Sequence, residues 1–495
     1  MPAIEENVVD VLDRLAIERP EHPAIVDGAN ILTYRSFQRA VEQVASNLCA
    51  FGFEVGDVVA LKMPDSANYL VLLCALARIG AVLYAVPPQL TMPEVTERLR
   101  RIKAKALISK DSTKTPLTLQ YISVRQILSA KAGPFQLSRI GGKNPVFLVE
   151  SSGTTGRTKI FTRSHGDMLI LIDRYAQAQG WCPEDRFLSL TPFCFNVFRN
   201  IFFGMLQQGA TTVVIRQNEC KSLEEFAGII AEKQVTFLKL TPAHLAPLVA
   251  EREDSSLLMP NLRAMVVGSA PTSAAQRQLA QQRVSPNFYE QFATNETGLL
   301  AFATPSDRET EPDSVGRIVA GVEAQVVDGD GKVLAPGKIG EVRFRGAGFP
   351  TEYLDAAATS ARALRDGWFY PGDLAMIGKT GYLFFKGRTD DLINNAGVKF
   401  YPVEVEQVLL NHPDVSEVAV FPISHDLAGQ CAAACFVSSR EVTAHELTGY
   451  CKSRMAGYKI PVVFSRVRKM PRNPMGKINK RELRDMLSVR IEKDR

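Results

Sequence analysis

The chain has little that would mark it as a metalloprotein, a redox protein or a membrane protein. Its eight cysteines are scattered, no C-x-x-C pair occurs, and its six histidines show no ligand spacing. Cys431 and Cys435 lie closest together, but the apolar run that holds them continues into Phe436 and Val437. They read as core thiols of a strand or helix, and reduced thiols of this kind fit a cytoplasmic protein. The N-terminus, Met1-Pro2-Ala3-Ile4-Glu5-Glu6, is acidic and has no signal-peptide pattern. The longest apolar run, Tyr69 to Val86, contains Arg78 and Gly80. A charge near a bilayer centre costs about 3 kcal/mol on insertion scales. That run therefore reads as a buried helix, a turn at Gly80 and a buried strand, and no membrane span is expected. No block of one charge sign stands out either: 58 basic against 53 acidic side chains leave a net charge of +5. This is weak support for nucleic-acid binding and is compatible with a small polyanion. The densest basic stretches are Arg98 to Lys105 and Lys477 to Arg484, and the first reads as a solvated helix face or a turn. Internal repeats and low-complexity linkers are absent.

What is present is an ordinary globular balance, with 46% hydrophobic and 22% charged residues over 495 positions. That length exceeds one hydrophobic core, so more than one structural unit is expected. Helical periodicity marks Val8 to Ile17, Phe37 to Phe51, Tyr69 to Arg78, Met92 to Ile102 and Leu223 to Lys233. Short β-type runs lie between them: Val58 to Met63, Ala81 to Val86, Leu107 to Ser109, Val146 to Val149, Thr211 to Ile215, Phe237 to Leu240 and Ala264 to Val267. The alternation predicts an α/β fold with helices covering mostly parallel sheets. From about 310 the pattern changes to short strands separated by Gly, Asp and Pro, including Glu323 to Asp328, Gly340 to Arg345 and Gly381 to Lys386. The expected organisation is a large domain over 1–387 whose β-rich part spans about 310–387, a polar junction at 388–390, and a small α+β domain over 391–495.

The most distinctive string is Ser151-Ser152-Gly153-Thr154-Thr155-Gly156-Arg157-Thr158-Lys159, which follows the strand-like Val146 to Val149. So many glycines and hydroxyls in a row suit neither a helix nor a central strand. They suit a loop whose N–H groups and hydroxyls wrap a phosphate chain, with Lys159 adding positive charge. The Walker A pattern is not met.

This string resembles the phosphate loop of the acyl-adenylate-forming superfamily, which includes acyl-CoA synthetases, adenylation domains of nonribosomal peptide synthetases and firefly luciferase. Further segments of that family follow in order. Phe292-Ala293-Thr294-Asn295-Glu296-Thr297-Gly298 resembles its aromatic-Gly-x-Thr-Glu signature, with Phe292 and Asn295 replacing the usual Tyr and Thr. Tyr370-Pro371-Gly372-Asp373 is similar to its Tyr-x-Thr-Gly-Asp segment. Gly387-Arg388-Thr389-Asp390-Asp391, continuing through Gly397 to Pro402-Val403-Glu404-Val405-Glu406, resembles its hinge. Pro471 to Arg481, with Gly476-Lys477, matches its C-terminal Pro-x4-Gly-Lys segment.

The resemblance implies roles for these positions. Ser151, Ser152, Gly153, Thr154, Thr155, Gly156 and Lys159 would hold the phosphates of ATP, and Thr154 would also take part in catalysis. Phe292 would stack on adenine, Asn295 would meet the α-phosphate, and Glu296 would hold Mg2+. Asp373 and Arg388 would bond the ribose, and Asp390 would be the pivot. Gly397 would lie near the pantetheine channel, and Lys477 would be the adenylation lysine. Gly268 is assigned to both the nucleotide site and the acid pocket.

The implied chemistry needs such groups. Two anions must approach each other when a carboxylate attacks the α-phosphate, so cations and N–H donors must be aimed at phosphorus. No base is needed, because the acid is ionised at neutral pH. A thiol then takes the acyl group, from coenzyme A or from a phosphopantetheinyl carrier protein. The chain stops soon after Lys477, so no carrier domain is expected to follow, and coenzyme A is the first choice.

The acid is expected to meet Phe195 and Asn196, within Thr191-Pro192-Phe193-Cys194-Phe195-Asn196. Amino-acid-activating relatives place an Asp there. A neutral amide does not select an ammonium group, so an aryl or other apolar acid is expected. Phe193, Phe198, Phe202 and Phe203 nearby either line that pocket or pack the core. Competing readings are a carrier-loading enzyme, a luciferase-like oxygenase and a non-catalytic nucleotide-binding scaffold.

Overall fold

A computed structural model describes residues 6–110, 119–133, 140–151, 158–215, 222–249, 256–270, 272–354, 356–425, 429–472 and 478–493. The fold is mixed α/β and is organised around four sheets.

The apolar run near the N-terminus shows how sequence becomes structure here. Ala67–Arg78 is a helix capped by Ser66, whose side chain accepts from the Tyr69 N–H. Every residue from Tyr69 to Arg78 is buried, which marks a helix enclosed on all sides. Arg78 is tolerated because Asp10, Asp13 and Glu42 all reach its guanidinium. Gly80 follows with φ +73°, where a Cβ would lie 2.5 Å from Ile140 Cδ1, and the strand Val82–Ala85 then begins. Among the described residues no helix is long and apolar enough to cross a membrane.

That strand belongs to a six-stranded sheet ordered Gln120–Ser123, Ala106–Ser109, Val58–Lys62, Val82–Ala85, Pro145–Ser151 and Lys159–Ser164. It is parallel except for its last pair, a hairpin. A nine-stranded sheet has a parallel centre made of Phe288–Thr294, Ala264–Gly268, Phe237–Leu240, Arg186–Ser189, Thr211–Val214 and Pro23–Asp27. Helices His165–Gln179 and Asn196–Gln208 pack between these two sheets in the largest apolar core. The third sheet is antiparallel throughout; Val322–Val327, Ile339–Gly346, Asp373–Ile377 and Leu383–Arg388 form its body. A fourth, five-stranded sheet begins at Ile393–Asn395 and carries Cys431 and Cys435 on the strand Gly429–Ser438. Both cysteines are buried and free.

Some elements differ from the sequence expectation. The first helix begins at Val11 instead of Val8, because the N–H of Val8 is drawn to His165 Nδ1 (3.2 Å) and that of Val9 to Asn7 Oδ1 (3.1 Å). The basic C-terminal stretch is a helix, Lys480–Lys493, seated by Leu483 and Leu487 on the fourth sheet's small apolar cluster.

Gly204, in the helix Asn196–Gln208, makes room for Trp181: a Cβ there would lie 1.9 Å from the indole Cζ3. Gly204→Ala is expected to cost about 1–3 kcal/mol through overpacking. Urea unfolding should show a lower midpoint; an unchanged midpoint would mean that the indole is free to move.

Candidate active site

A cavity of about 1240 Å³ opens where the parallel strands of the nine-stranded sheet end, roofed by the third sheet and by the C-terminal unit. Carboxyl ends of parallel strands are where ligands of open α/β sheets bind. The volume exceeds the usual range for one small ligand, so a nucleotide and a second molecule fit together.

The phosphate side is built on the hairpin of Pro145–Ser151 and Lys159–Ser164, which sets Ser151 opposite Lys159. Ser152, Gly153, Thr154, Thr155 and Gly156 lie outside the described residues. Ser151 lines the cavity, and its Oγ is buried without a hydrogen-bond partner among the described residues. Such a hydroxyl fits a phosphate oxygen. Lys159 also lines the cavity, with its Nζ 5.2 Å from the centre of the Tyr353 ring.

In the basic stretch Arg98 to Lys105, Arg100, Lys103 and Lys105 are exposed as expected, but Arg98 and Arg101 are half-buried against the phosphate-side hairpin. Arg98 Nε lies 3.3 Å from Glu150 Oε1, and Arg101 donates to the Thr158 carbonyl at 2.7 Å. Tyr84 and Asn295 add bonds to the Glu150 carboxylate (3.1 Å) and carbonyl (3.0 Å). Both ends of the loop are thus tied down by one helix, because residues three apart share a helix face.

Glu296 sits in the tight turn between Phe288–Thr294 and Gly298–Ala303. Its Oε1 accepts from the Tyr353 hydroxyl at 2.8 Å, and Oε2 has no hydrogen bond among the described residues. Burial and the adjacent carboxylate push the Tyr353 phenol far up, so it stays a donor. One carboxylate oxygen facing a phosphate site is a fitting ligand for Mg2+, which keeps most of its shell as water and phosphate oxygen. The turn is held from behind by Arg163, whose guanidinium donates to the carbonyls of Glu296 (2.7 Å), Asn295 (3.1 Å) and Gly348 (2.6 Å). Burial lowers its pKa to about 10, so it remains charged. Neither Tyr353 nor Arg163 belongs to a short motif, and their roles were not legible in the sequence.

On the nucleotide side, Phe292 lines the cavity between Phe344 and Phe385, with centroids 6.1 and 6.2 Å away. Asp373 and Arg388 face each other across paired strands and form an ion pair at 2.7 Å. Both line the cavity, as does Asp390 in the short 3-10 turn Thr389–Asp391. Gly397 is not on the cavity wall: it occupies the exposed tip of the hairpin Ile393–Asn395/Val398–Phe400, with φ +89°. Lys477 lies outside the described residues. Its flanks, Arg472 and Ile478, pair in an isolated β-bridge, and both line the cavity. Lys480, held by Glu406 at 2.9 Å, lines it too.

At the far end, Asn196 opens its helix, lines the cavity and donates from Nδ2 to the Asn295 carbonyl at 3.2 Å. Phe195, expected beside it, is not on the wall, because it is the N-cap residue and the helix turns Asn196, Val197 and Asn200 toward the cavity instead. The other phenylalanines are core: Phe193 stacks on Phe198 at 3.9 Å, and Phe202 and Phe203 are buried against each other. Gly268 also stays behind the wall, which Ser269 and Ala270 form. A Cβ on Gly268 would lie 2.5 Å from Gln291 Cγ and 3.1 Å from Lys239 Nζ. Lys239 is wholly buried, and burial pushes its pKa down to about 7. A cluster elsewhere, His412, Asp414 and Glu446, already holds the Arg440 guanidinium at 2.9 and 2.6 Å.

Comparison with known proteins agrees with this geometry. The family described as AMP-binding enzyme matches residues 12–354, and its C-terminal domain matches residues 404–477. The chain is 26% identical over 475 residues to the 2-succinylbenzoate–CoA ligase of Bacillus pumilus, covering 94% of this chain and 95% of that protein. It is 27% identical to the fatty acid–[acyl-carrier-protein] ligase ScoC of Streptomyces coeruleorubidus, covering 97% and 96%. The o-succinylbenzoate coenzyme A synthetase of Bacillus subtilis, solved with ATP and magnesium, shares the fold with a TM-score of 0.87 at 24% identity, covering 96% and 99%.

The Tyr353–Glu296 bond makes a separate prediction. Tyr353→Phe keeps the ring under Lys159 but removes the bond to Glu296. The Mg2+ concentration for half-maximal pyrophosphate release should rise about tenfold, the usual effect of losing a partner behind a metal ligand. An unchanged Mg2+ titration would remove Glu296 from the metal site.

Proposed function

The chain belongs to the family of AMP-binding enzymes, as an AMP-forming ligase of the acyl-CoA synthetase type, and on that premise we propose that it activates an aryl or other apolar carboxylic acid without an α-ammonium group and transfers it to coenzyme A. The observation that carries the reading is the neutral acid end. Asn196 is an amide, Lys239 lies behind the wall, and Glu290 has both oxygens occupied by Arg277 and Arg308. An ammonium group finds no counter-charge there, and a desolvated ion without one is costly.

In the first step the acid's oxygen bonds to the α-phosphorus of ATP and pyrophosphate leaves. Ser151, Lys159 and the loop between them hold the phosphates, and Asn295 and Asn196 fix the approach. Magnesium bound by Glu296 would neutralise charge on the triphosphate. Lys477 supplies a further positive charge as pyrophosphate departs. Phe292 holds the adenine, and the paired Asp373 and Arg388 present donor and acceptor groups to the ribose. In the second step the thiol sulfur attacks the acyl carbon, AMP leaves, and the thiol proton is lost to water. The unit after the Asp390 pivot swings between the steps, carrying Lys477 away and bringing Gly397 toward the cavity.

The decisive measurement is pyrophosphate release from ATP and Mg2+ across benzoates, fatty acids and amino acids, with and without coenzyme A. Acid-dependent release with an acyl-CoA product is the expected result. Release without any CoA product would favour a carrier protein as acceptor, as for ScoC. Release driven by α-amino acids would overturn the reading of the pocket.

The two steps can be separated. Lys477→Ala should slow acyl-adenylate formation by about a hundredfold or more, while supplied acyl-AMP is still converted to thioester. Equal loss in both half-reactions would refute the lysine's role. Asp390→Pro should stiffen the pivot and impair thioester formation more than adenylation; unchanged half-reactions would place the pivot elsewhere.

A further inference from the structure

A swing between the two steps needs a chain that bends at one place and units that stay rigid on either side of it. On the side of the large unit, the N–H and the hydroxyl of Thr389 both donate to the Gly372 carbonyl, at 2.9 and 3.1 Å. Arg388 before it is tied to Asp373 by strand register and by charge. The chain is therefore locked as far as residue 389. On the other side, Ile393 is wholly buried in the core of the C-terminal unit. Asp390, Asp391 and Leu392 remain between these anchors, and Asp390 is exposed.

Asp391 meets a distant segment. Its Oδ2 lies 3.7 Å from Lys480 Nζ, and the same ammonium lies 2.9 Å from Glu406 Oε1. Glu406 Oε1 also accepts from the Val420 N–H at 2.8 Å, which fixes it to the strand Val415–His425. Lys480 opens the helix Lys480–Lys493. A positive charge at a helix N-terminus opposes the helix dipole, so helix stability does not account for a lysine there. Burial works against the charge, and the Glu406 and Asp391 carboxylates more than offset it, holding the ammonium above the usual lysine pKa. Just before it, the Asn479 N–H bonds the Pro471 carbonyl at 2.8 Å, Ile478 bridges to Arg472, and Arg472 pairs with Glu417. The stretch that carries Lys477 is thus held at each end by a basic residue on a carboxylate of its own unit.

We propose that Lys480 is a positioning residue for adenylation: its ion pair with Asp391 clamps the far end of the hinge to the swinging unit, so that rotation is confined to Asp390 and the Lys477 segment arrives in register. The inference rests on the acid–thiol ligase reading and on Asp390 as its pivot. Lys480 lines the cavity, but an ammonium engaged by two carboxylates has little charge left to offer a phosphate. It acts through the hinge. Register matters because a misplacement of about 1 Å at a reacting group can cost on the order of a hundredfold in rate.

The test uses the full chain and an acid that it accepts. Lys480→Met keeps the length of the side chain and removes its charge. Acyl-adenylate formation at saturating ATP and acid should slow about tenfold. The half-saturating concentrations should change little, and supplied acyl-AMP should still be converted to thioester. Lys480→Arg should restore most of the rate. Asp391→Asn, at a partly exposed position that is not required for folding the core, should reproduce part of the loss. The double variant should be no slower than Lys480→Met alone, because the two groups act as a pair. A loss of stability alone would slow both half-reactions equally and would add up in the double variant. That result, or an unchanged adenylation rate in Lys480→Met, overturns the positioning role and leaves the ligase reading standing. A raised half-saturating ATP concentration in Lys480→Met, with Asp391→Asn fully active, would make the lysine a phosphate ligand and also overturn it. If no acid supports pyrophosphate release by the unaltered chain, both readings are overturned.

Discussion

The buried Arg163 guanidinium is the point on which the site depends. It belongs to the last strand of the six-stranded sheet. Its donors reach the Asn295–Glu296 turn of the nine-stranded sheet and the Gly348 carbonyl just after the third sheet's strand Ile339–Gly346. An ion taken this far from water must be compensated by fixed dipoles, and three carbonyls supply them. Two of the carbonyls lie on one turn and the third after another sheet's strand, so the charge is satisfied only when these two and Arg163's own sheet meet in one geometry. Arg174 repeats the device one layer along, donating to Thr297 and Ala347. The result is a turn that cannot drift, with the Glu296 carboxylate on its cavity side and the arginines behind it.

Rigidity of that turn matters because the groups around it come from distant segments. Asn295 ties the turn to Glu150 at the base of the phosphate loop and, through its carbonyl, to Asn196 at the head of the acid-pocket helix. Glu150 is held in turn by Tyr84 and Arg98, and Arg101 fixes the loop's other end at Thr158. Phosphate loop, carboxylate and acid pocket are thereby coupled through a few short hydrogen bonds. Preorganisation of this kind lets a site stabilise charge in a transition state without reorganising as it forms. The C-terminal unit is attached differently. It lines the cavity with charged groups such as Arg472, Lys480, Glu406 and Glu417 and with apolar ones such as Val403, Val408, Leu410 and Ile478.

Elements with strong periodicity were readable from the sequence. Phe237–Leu240 matches its expected bounds, and the other expected strands and helices shift by up to three residues at their ends. The family resemblance pointed to Ser151, Lys159, Phe292, Asp373 and Arg388, and the fold brings all of them to the wall of one cavity. Pair-dependent roles were not readable. Arg98 and Arg101 look like any charged helix face until Glu150 and Thr158 are known to lie opposite them. Tyr353 looks like one more aromatic until Glu296 lies beside it. The cluster of phenylalanines was ambiguous for a related reason: helical spacing brings Phe198 and Phe202 to one face and Asn196 and Asn200 to another. Apolar content alone does not say which face meets the core. Gly397 carries its signal in φ, which asks for glycine at a hairpin tip whether or not a ligand passes nearby.

Behind the cavity wall, a close approach to one glycine places a buried lysine. Lys239 is placed where Gly268 lacks a side chain, with Gln291 against the same glycine, and its ammonium has one hydrogen bond, to the Leu240 carbonyl at 3.1 Å. Burial pushes its pKa down to about 7, against the opposing pull of the Glu290 carboxylate. Gly268 is therefore a position where no side chain can be added without moving both Gln291 and the lysine, because packed interiors leave no spare volume.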